Sequence, residues 1–119
     1  MTNKVAWVLE ARIADGQSAA LDALQTEMSE ATLADEPGTL NYEWFVDEEK
    51  SACHIYECYA DSAAALTHIG NFNSKFAKRF LQILEPTGLT VYGRPDDQTM
   101  AALSTMGAVC MAPLGGFAR

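Results

Sequence analysis

Two histidines and one carboxylate in an unusual setting are the residues of this sequence best suited to chemistry. His68 follows Ala65-Leu66-Thr67 in a run of helical periodicity and precedes Phe72 by one turn. Helical geometry sets it about 40° off the apolar stripe, at the expected rim between core and solvent, where a pocket would open. A neutral imidazole near pH 7 is a fitting general base. Glu57 sits inside the strand-like run Ile55-Tyr56-Glu57-Cys58-Tyr59. A carboxylate in an aromatic strand has to be hydrogen-bonded, ion-paired or pocketed. His68 and Glu57 are therefore the catalytic candidates, although a structural pair between Glu57 and Arg12 would account for Glu57 equally well. His54, on an apolar strand, reads as a hydrogen-bonded structural residue. Tyr42, Trp44, Tyr59, Phe72, Phe76 and Phe80 would serve either as core or as the walls of a site for a flat, quinone-like ligand.

Several other chemistries lack their residues. Two histidines far apart in the chain make no metal site, and no Gly-rich phosphate loop or nucleophile elbow occurs. The three cysteines, Cys53, Cys58 and Cys110, are odd in number. Cys53 and Cys58 fall on opposite faces of one strand, so buried inert thiols are expected rather than a metal clamp or disulfide. A net charge of −8, with acids outnumbering bases 16 to 8, repels phosphate backbones and argues against nucleic-acid binding. No apolar run reaches membrane-spanning length, and Met1-Thr2-Asn3-Lys4-Val5 lacks the pattern of a secretion signal. A cytoplasmic protein is the expectation.

The elements that must position these residues follow from periodicity. Residues 5–13 alternate as a strand, with Val5, Trp7, Leu9, Ala11 and Ile13 on one face. Residues 17–34 read as a helix with Leu21, Leu24, Met28 and Ala31 as its stripe, opened by Asp15 and stopped by Pro37-Gly38. Residues 39–46 and 52–59, joined by a polar turn, read as an antiparallel hairpin. A second helix starts on Asp61 or Ser62 and carries Ile69, Phe72, Phe76, Phe80 and Ile83, with Gly70 as the point where it would kink or split and Pro86 as its end. Residues 87–93 form a fourth strand, residues 96–106 a short extra helix, and the remainder an irregular tail. The order β-α-β-β-α-β is the ferredoxin-like split arrangement, an α+β fold with an antiparallel sheet and helices on one face. Residues 1–95 make the domain, and residues 96–119 are expected to pack on it or on a partner. Both strand faces carry bulk, so the helix-free face calls for a cover, most simply the sheet of a second copy.

The stretch from Leu9 to Gln17, Pro37-Gly38 followed by Tyr42, and Tyr56-Glu57-Cys58-Tyr59-Ala60-Asp61-Ser62 with Ala65-Leu66-Thr67-His68 together resemble the antibiotic biosynthesis monooxygenase family. The resemblance runs from about Val5 to Gly93. It implies a homodimer of ferredoxin-like subunits, a dimeric α+β barrel. It also implies oxidation of quinols or polycyclic phenols by O2 with neither metal nor flavin. His68 would be the base, with Glu57 beside it. Asn73 and Tyr42 would be polar anchors, and Trp44, Tyr59, Phe72 and Phe76 walls. Asn73 stands where the family often has a second histidine, so a two-histidine mechanism does not carry over. A non-catalytic binding module of the same fold and a haem-degrading monooxygenase remain as alternatives. The second requires an iron-ligating histidine.

Overall fold

The alternation along the first strand resolves into two unlike faces. The computed structural model describes residues 3–119. In β1 (Val5–Ile13), Val5, Trp7, Ala11 and Ile13 are buried while Glu10 and Arg12 are exposed. β2 (Thr39–Val46) and β3 (Ala52–Tyr59) form the expected hairpin, and β3 and β4 (Leu84–Gly93) flank β1, all antiparallel. A short β5 (Val109–Met111) adds parallel to β4, giving a mixed five-stranded sheet in the order β2-β3-β1-β4-β5. The first four strands have the ferredoxin-like order. β5 escapes sequence reading because three residues are too few to show a period.

The helices α1 (Ser18–Asp35), α2 (Ser62–Lys75), α3 (Ala77–Ile83) and α4 (Asp97–Ser104) lie on the face of Trp7 and Leu89. Leu21, Leu24 and Met28 of α1 and Phe80 and Ile83 of α3 bury against Ala11, Ile13, Cys53 and Ile55. Ala65 and Ile69 of α2 and Leu103 of α4 bury against Val5, Trp7, Tyr59, Leu89 and Val91. None of these helices is long and apolar enough to cross a membrane.

Four local expectations change. Asp15 does not cap α1; it lies 3.7 Å from Arg12, and Gln17 occupies the N-cap position without a side-chain bond. The second helical run breaks at Phe76 (φ −128°, ψ −17°), not at Gly70. Gly70 faces open solvent and carries only its propensity cost, whereas the break at Phe76 swings α3 so that Phe80 and Ile83 reach the core. Pro86 does not end a helix but sits inside β4 at a bulge, where the register passes from Ala11↔Pro86 to Glu10↔Gly88. A bulge on a stretch with a free outer edge tolerates a residue without an N–H. Finally, α4 is part of the domain core through Leu103, while residues 112–119 are exposed throughout, with the Arg119 guanidinium 5.2 Å from the Phe117 ring.

Candidate functional site

α2 begins at Asp61, whose carboxylate accepts the Ala64 N–H at 2.8 Å. That cap fixes the phase of the helix, and its inward face carries Ala65, His68 and Ile69. His68 is buried, not at the rim, because its ring lies between Glu57 on the sheet and Glu36 at the corner that joins α1 to β2. Its Nδ1 is 2.8 Å from Oε1 of Glu36, and its Nε2 is 3.2 Å from Oε1 of Glu57. Glu57 also accepts a 2.5 Å hydrogen bond from the Tyr59 hydroxyl, its neighbour on the same face of β3. Glu36 in turn accepts from Asn71 Nδ2 at 3.1 Å and Thr39 Oγ1 at 3.0 Å. The result is a buried chain of four ionisable groups, Glu36–His68–Glu57–Tyr59.

Burial alone would lower the His68 pKa, but hydrogen bonds to Glu36 and Glu57 outweigh it and raise the ring to about 9. His68 is therefore an imidazolium at neutral pH, with both ring nitrogens donating. That direction favours the charged ring over the neutral base expected from the unperturbed value. Burial likewise opposes the Glu36 carboxylate, yet the bonds from His68 and Asn71 hold its pKa below the ordinary range. Tyr42 and Tyr59 are pushed upward, chiefly by burial and then by the charge of Glu57, and stay phenols. The two carboxylates sit on opposite ring nitrogens and do not converge on one position. Among the described residues no cluster of His, Cys, Asp or Glu could hold a metal.

Glu57 and His68 face a cavity of about 40 Å³, with Tyr42 the third polar wall. The other walls are apolar and include Trp7, Met28, Ile55, Phe72, Phe80 and Leu89. Met106, on the turn after α4, is the lining side chain most open to solvent, 43% exposed. As it stands the space holds a water or two, against about 300–1,000 Å³ for sites of drug-sized ligands, so an aromatic ring enters only when lining side chains, Met106 foremost, move aside. A second, narrower cleft lies between α1 and α2, lined by Asp35, Glu36, Asn71, Lys75 and Phe76, and His68 forms part of both walls.

The expected site residues separate accordingly. His68, Glu57, Tyr42 and Phe72 meet at the cavity. Tyr59 is tethered to Glu57 from behind. Trp44 packs edge-on against Tyr42 and Phe80 outside the cavity lining, and Phe76 belongs to the cleft. Asn73 is exposed and lines neither the cavity nor the cleft. Five residues turn a helix by about 140° from His68, whereas three bring Asn71 onto the same side. Arg12 is bound to Glu85 at 2.9 Å on the opposite face, so it does not pair with Glu57. His54 lies there too, 3.4 Å from Glu10 and half-exposed. Glu36 and Asn71 are absent from the sequence reading, whereas Met106 belongs to the 96–119 segment expected to pack on the domain or its partner.

Comparison with known proteins adds the wider context. A model of the antibiotic biosynthesis monooxygenase family matches residues 5–75. No curated protein matches the chain in sequence. Among solved structures the chain is similar to MupZ from Pseudomonas fluorescens, at 21% identity and a TM-score of 0.88, covering all of this chain and 91% of that one. It is similar to SnoaB, a cofactor-independent oxygenase from Streptomyces nogalater, at 11% identity and a TM-score of 0.66, over 80% of this chain and 96% of that one. Rv0793 from Mycobacterium tuberculosis gives 22% identity and a TM-score of 0.60, over 79% of this chain and 97% of that one. At these identities the likeness establishes the fold.

Proposed function

The chain belongs to the antibiotic biosynthesis monooxygenase family, and from that premise we propose that it oxidises a quinol or related phenol with O2, without a metal or flavin. The observation that carries this reading is the Glu57 carboxylate, placed in an otherwise apolar cavity and held by His68 and Tyr59. Triplet oxygen reacts slowly with closed-shell molecules, but a phenolate is electron-rich enough to give it one electron. The protein has only to take the phenolic proton, stabilise the resulting charge and exclude water.

In this reading Glu57 accepts the phenolic proton, and the His68 imidazolium and Tyr42 hydroxyl stabilise the phenolate oxygen. One electron passes from phenolate to O2, and the two radicals combine, forming a carbon–oxygen bond at an ortho or para ring carbon that bears a hydrogen. Glu57 returns its proton to the peroxide. Loss of the ring proton and cleavage of the O–O bond then release water and leave a quinone. Phenol and O2 become quinone and water, with no net proton to export, which suits a sealed site. Two carboxylates around one imidazolium leave the cluster net negative, so the substrate enters as a neutral hydroxyl donor rather than as an anion. Haem breakdown finds no support, since both His68 nitrogens are engaged and neither is free for iron.

The same reading includes a homodimer. Phe45, Tyr92, Val109 and Met111 are exposed on the helix-free face, and a two-fold axis would let this apolar patch cover itself. A monomer by light scattering at micromolar concentration would remove that part. The reaction itself is tested by oxygen uptake with a panel of quinols. A positioned acid or base is worth about 10²–10⁴-fold in rate. Glu57→Gln and His68→Ala should each lose at least about a hundredfold while remaining folded. Full activity in both, or loss of activity on chelation, refutes the mechanism. Tight quinone binding with no turnover in the native protein would make the chain a binding module.

A further inference from the structure

The reaction proposed above gives Glu36 no step, yet Glu36 is among the most buried charged groups in the described residues. It lies outside the cavity, on the far side of the His68 ring, at the wall of the α1–α2 cleft. Its position is heavily determined. Its own N–H donates to Thr32 O at 3.0 Å, ending α1, and its carbonyl accepts the Thr39 N–H at 3.0 Å, starting β2. The next corner residue but one, Gly38, accepts the Ala60 N–H at 2.9 Å and packs against Ala64 of α2. Both carboxylate oxygens are used: Oε1 by His68 and Thr39, Oε2 by Asn71. A buried acid with every partner supplied on one side of a histidine holds the ring against rotation and favours its protonated form.

We infer that Glu36 is a positioning residue, which fixes the His68 ring with Nδ1–H toward the cleft and Nε2–H toward Glu57, and keeps the ring doubly protonated. The site thereby carries a buried cation at neutral pH rather than a histidine that loses its charge near pH 7. The groups that face His68 are Glu36 from the α1–β2 corner, Tyr42 from β2, and Glu57, backed by Tyr59, from β3; Asn71 is on its own helix. Asp35 and Lys75 flank the cleft beyond. Of these, Glu36 makes the shortest polar contact with the ring. Removing its charge leaves Glu57 as the single anionic partner at 3.2 Å.

The effect on turnover rests on the proposed reaction, but the effect on His68 does not, and the test separates them. Titration of the histidine rings by NMR, in the full chain without substrate, reads His68 directly, with His54 as an internal reference. In the native protein both His68 ring nitrogens should be protonated at about pH 7.5. Glu36→Gln should lower the His68 midpoint by at least one pH unit, a tenfold loss of proton affinity, and leave His54 unmoved. Glu36→Asp should keep part of the shift. A neutral His68 ring in the native protein overturns the inference, and that measurement needs no variant to fold. An unmoved midpoint in folded Glu36→Gln overturns it as well. If the titration behaves as expected and no quinol is oxidised, Glu36 keeps its role and the proposed reaction fails alone.

Discussion

A methyl group added at Gly38 offers a test that touches no charged residue. A Cβ at this position would lie 2.6 Å from the Ala64 Cβ, far inside the 3.4–4 Å of ordinary contact. Its backbone does not need a positive φ, so Gly38→Ala is a steric perturbation alone. The α1–β2 corner has to retreat from α2 by roughly 0.8 Å to restore the shortest ordinary contact. Passed on in full two residues upstream, that retreat stretches the Glu36–His68 distance from 2.8 Å to about 3.6 Å, beyond hydrogen-bond range. Overpacking of this kind costs about 1–3 kcal/mol. Urea unfolding should show that loss, and the His68 midpoint should fall in the same variant. Ala64→Gly in the Gly38→Ala background removes the clash. It should recover the His68 midpoint, though not the full stability, because glycine costs about 1 kcal/mol in a helix. If Gly38→Ala is as stable as the native protein and His68 titrates unchanged, the corner is not seated as argued.

Other expectations follow from the same geometry. His68 has its pKa raised from 6.5 to about 9, so its stabilising contribution is complete below the unfolded value and disappears as pH rises through the folded one. Unfolding free energy should therefore drop by up to about 3 kcal/mol between about pH 6.5 and pH 9.5, and a flat profile in urea titrations contradicts the buried cation. Glu36, depressed in the fold, adds stability that is lost at the acid end as pH falls through its folded pKa. Met106→Ala should open the cavity and raise acrylamide quenching of Trp7 in a Trp44→Phe background; unchanged quenching would place the entrance elsewhere. Asn71→Leu should shift the His68 midpoint downward while Asn73→Leu leaves it alone, since Asn71 alone of the two reaches Glu36. Equal effects would disprove the assignment.

What the sequence discloses and what it hides divide along physical lines. Alternation in β1, the hairpin of β2 and β3 and the Asp61 cap are local patterns, and they set the ferredoxin-like order and the phase of α2, though not the burial of the His68 ring. The partners of His68 are not local. Glu36 lies 32 residues before it, and the two meet because Gly38 lets a corner close on Ala64, a contact no periodicity encodes. An acid just before Pro37-Gly38 looks like any surface residue at the end of a helix. Asn73 was favoured by family spacing over the helical angle, and the angle selects Asn71. The cavity walls fared likewise: Tyr42 and Phe72 reach it, while Trp44 spends its ring on Tyr42 and Phe80. The protonation state of His68 depends on two carboxylates from separate elements, so the reference pKa of an isolated ring was no guide to it.

The three residues of β5 also bear on how the molecule behaves in company. A sheet border displays unpaired N–H and C=O groups that can template another strand. Among the described residues, β5 occupies the outer side of β4 from Thr90 to Tyr92, while no strand lies on the outer side of β2. One border thus ends in a strand of three residues, too short to template well, and the other in the eight residues of β2, which carries exposed Leu40, Phe45 and Val46 alongside Asn41 and Glu43. Removing the chain from Thr105 onward would bare a second border next to exposed Tyr92. Such a shortened protein would have two templating edges in place of one, and chains with two can add to each other without limit. Its distinguishing failure would be fibrous aggregation under conditions where the full chain stays dispersed.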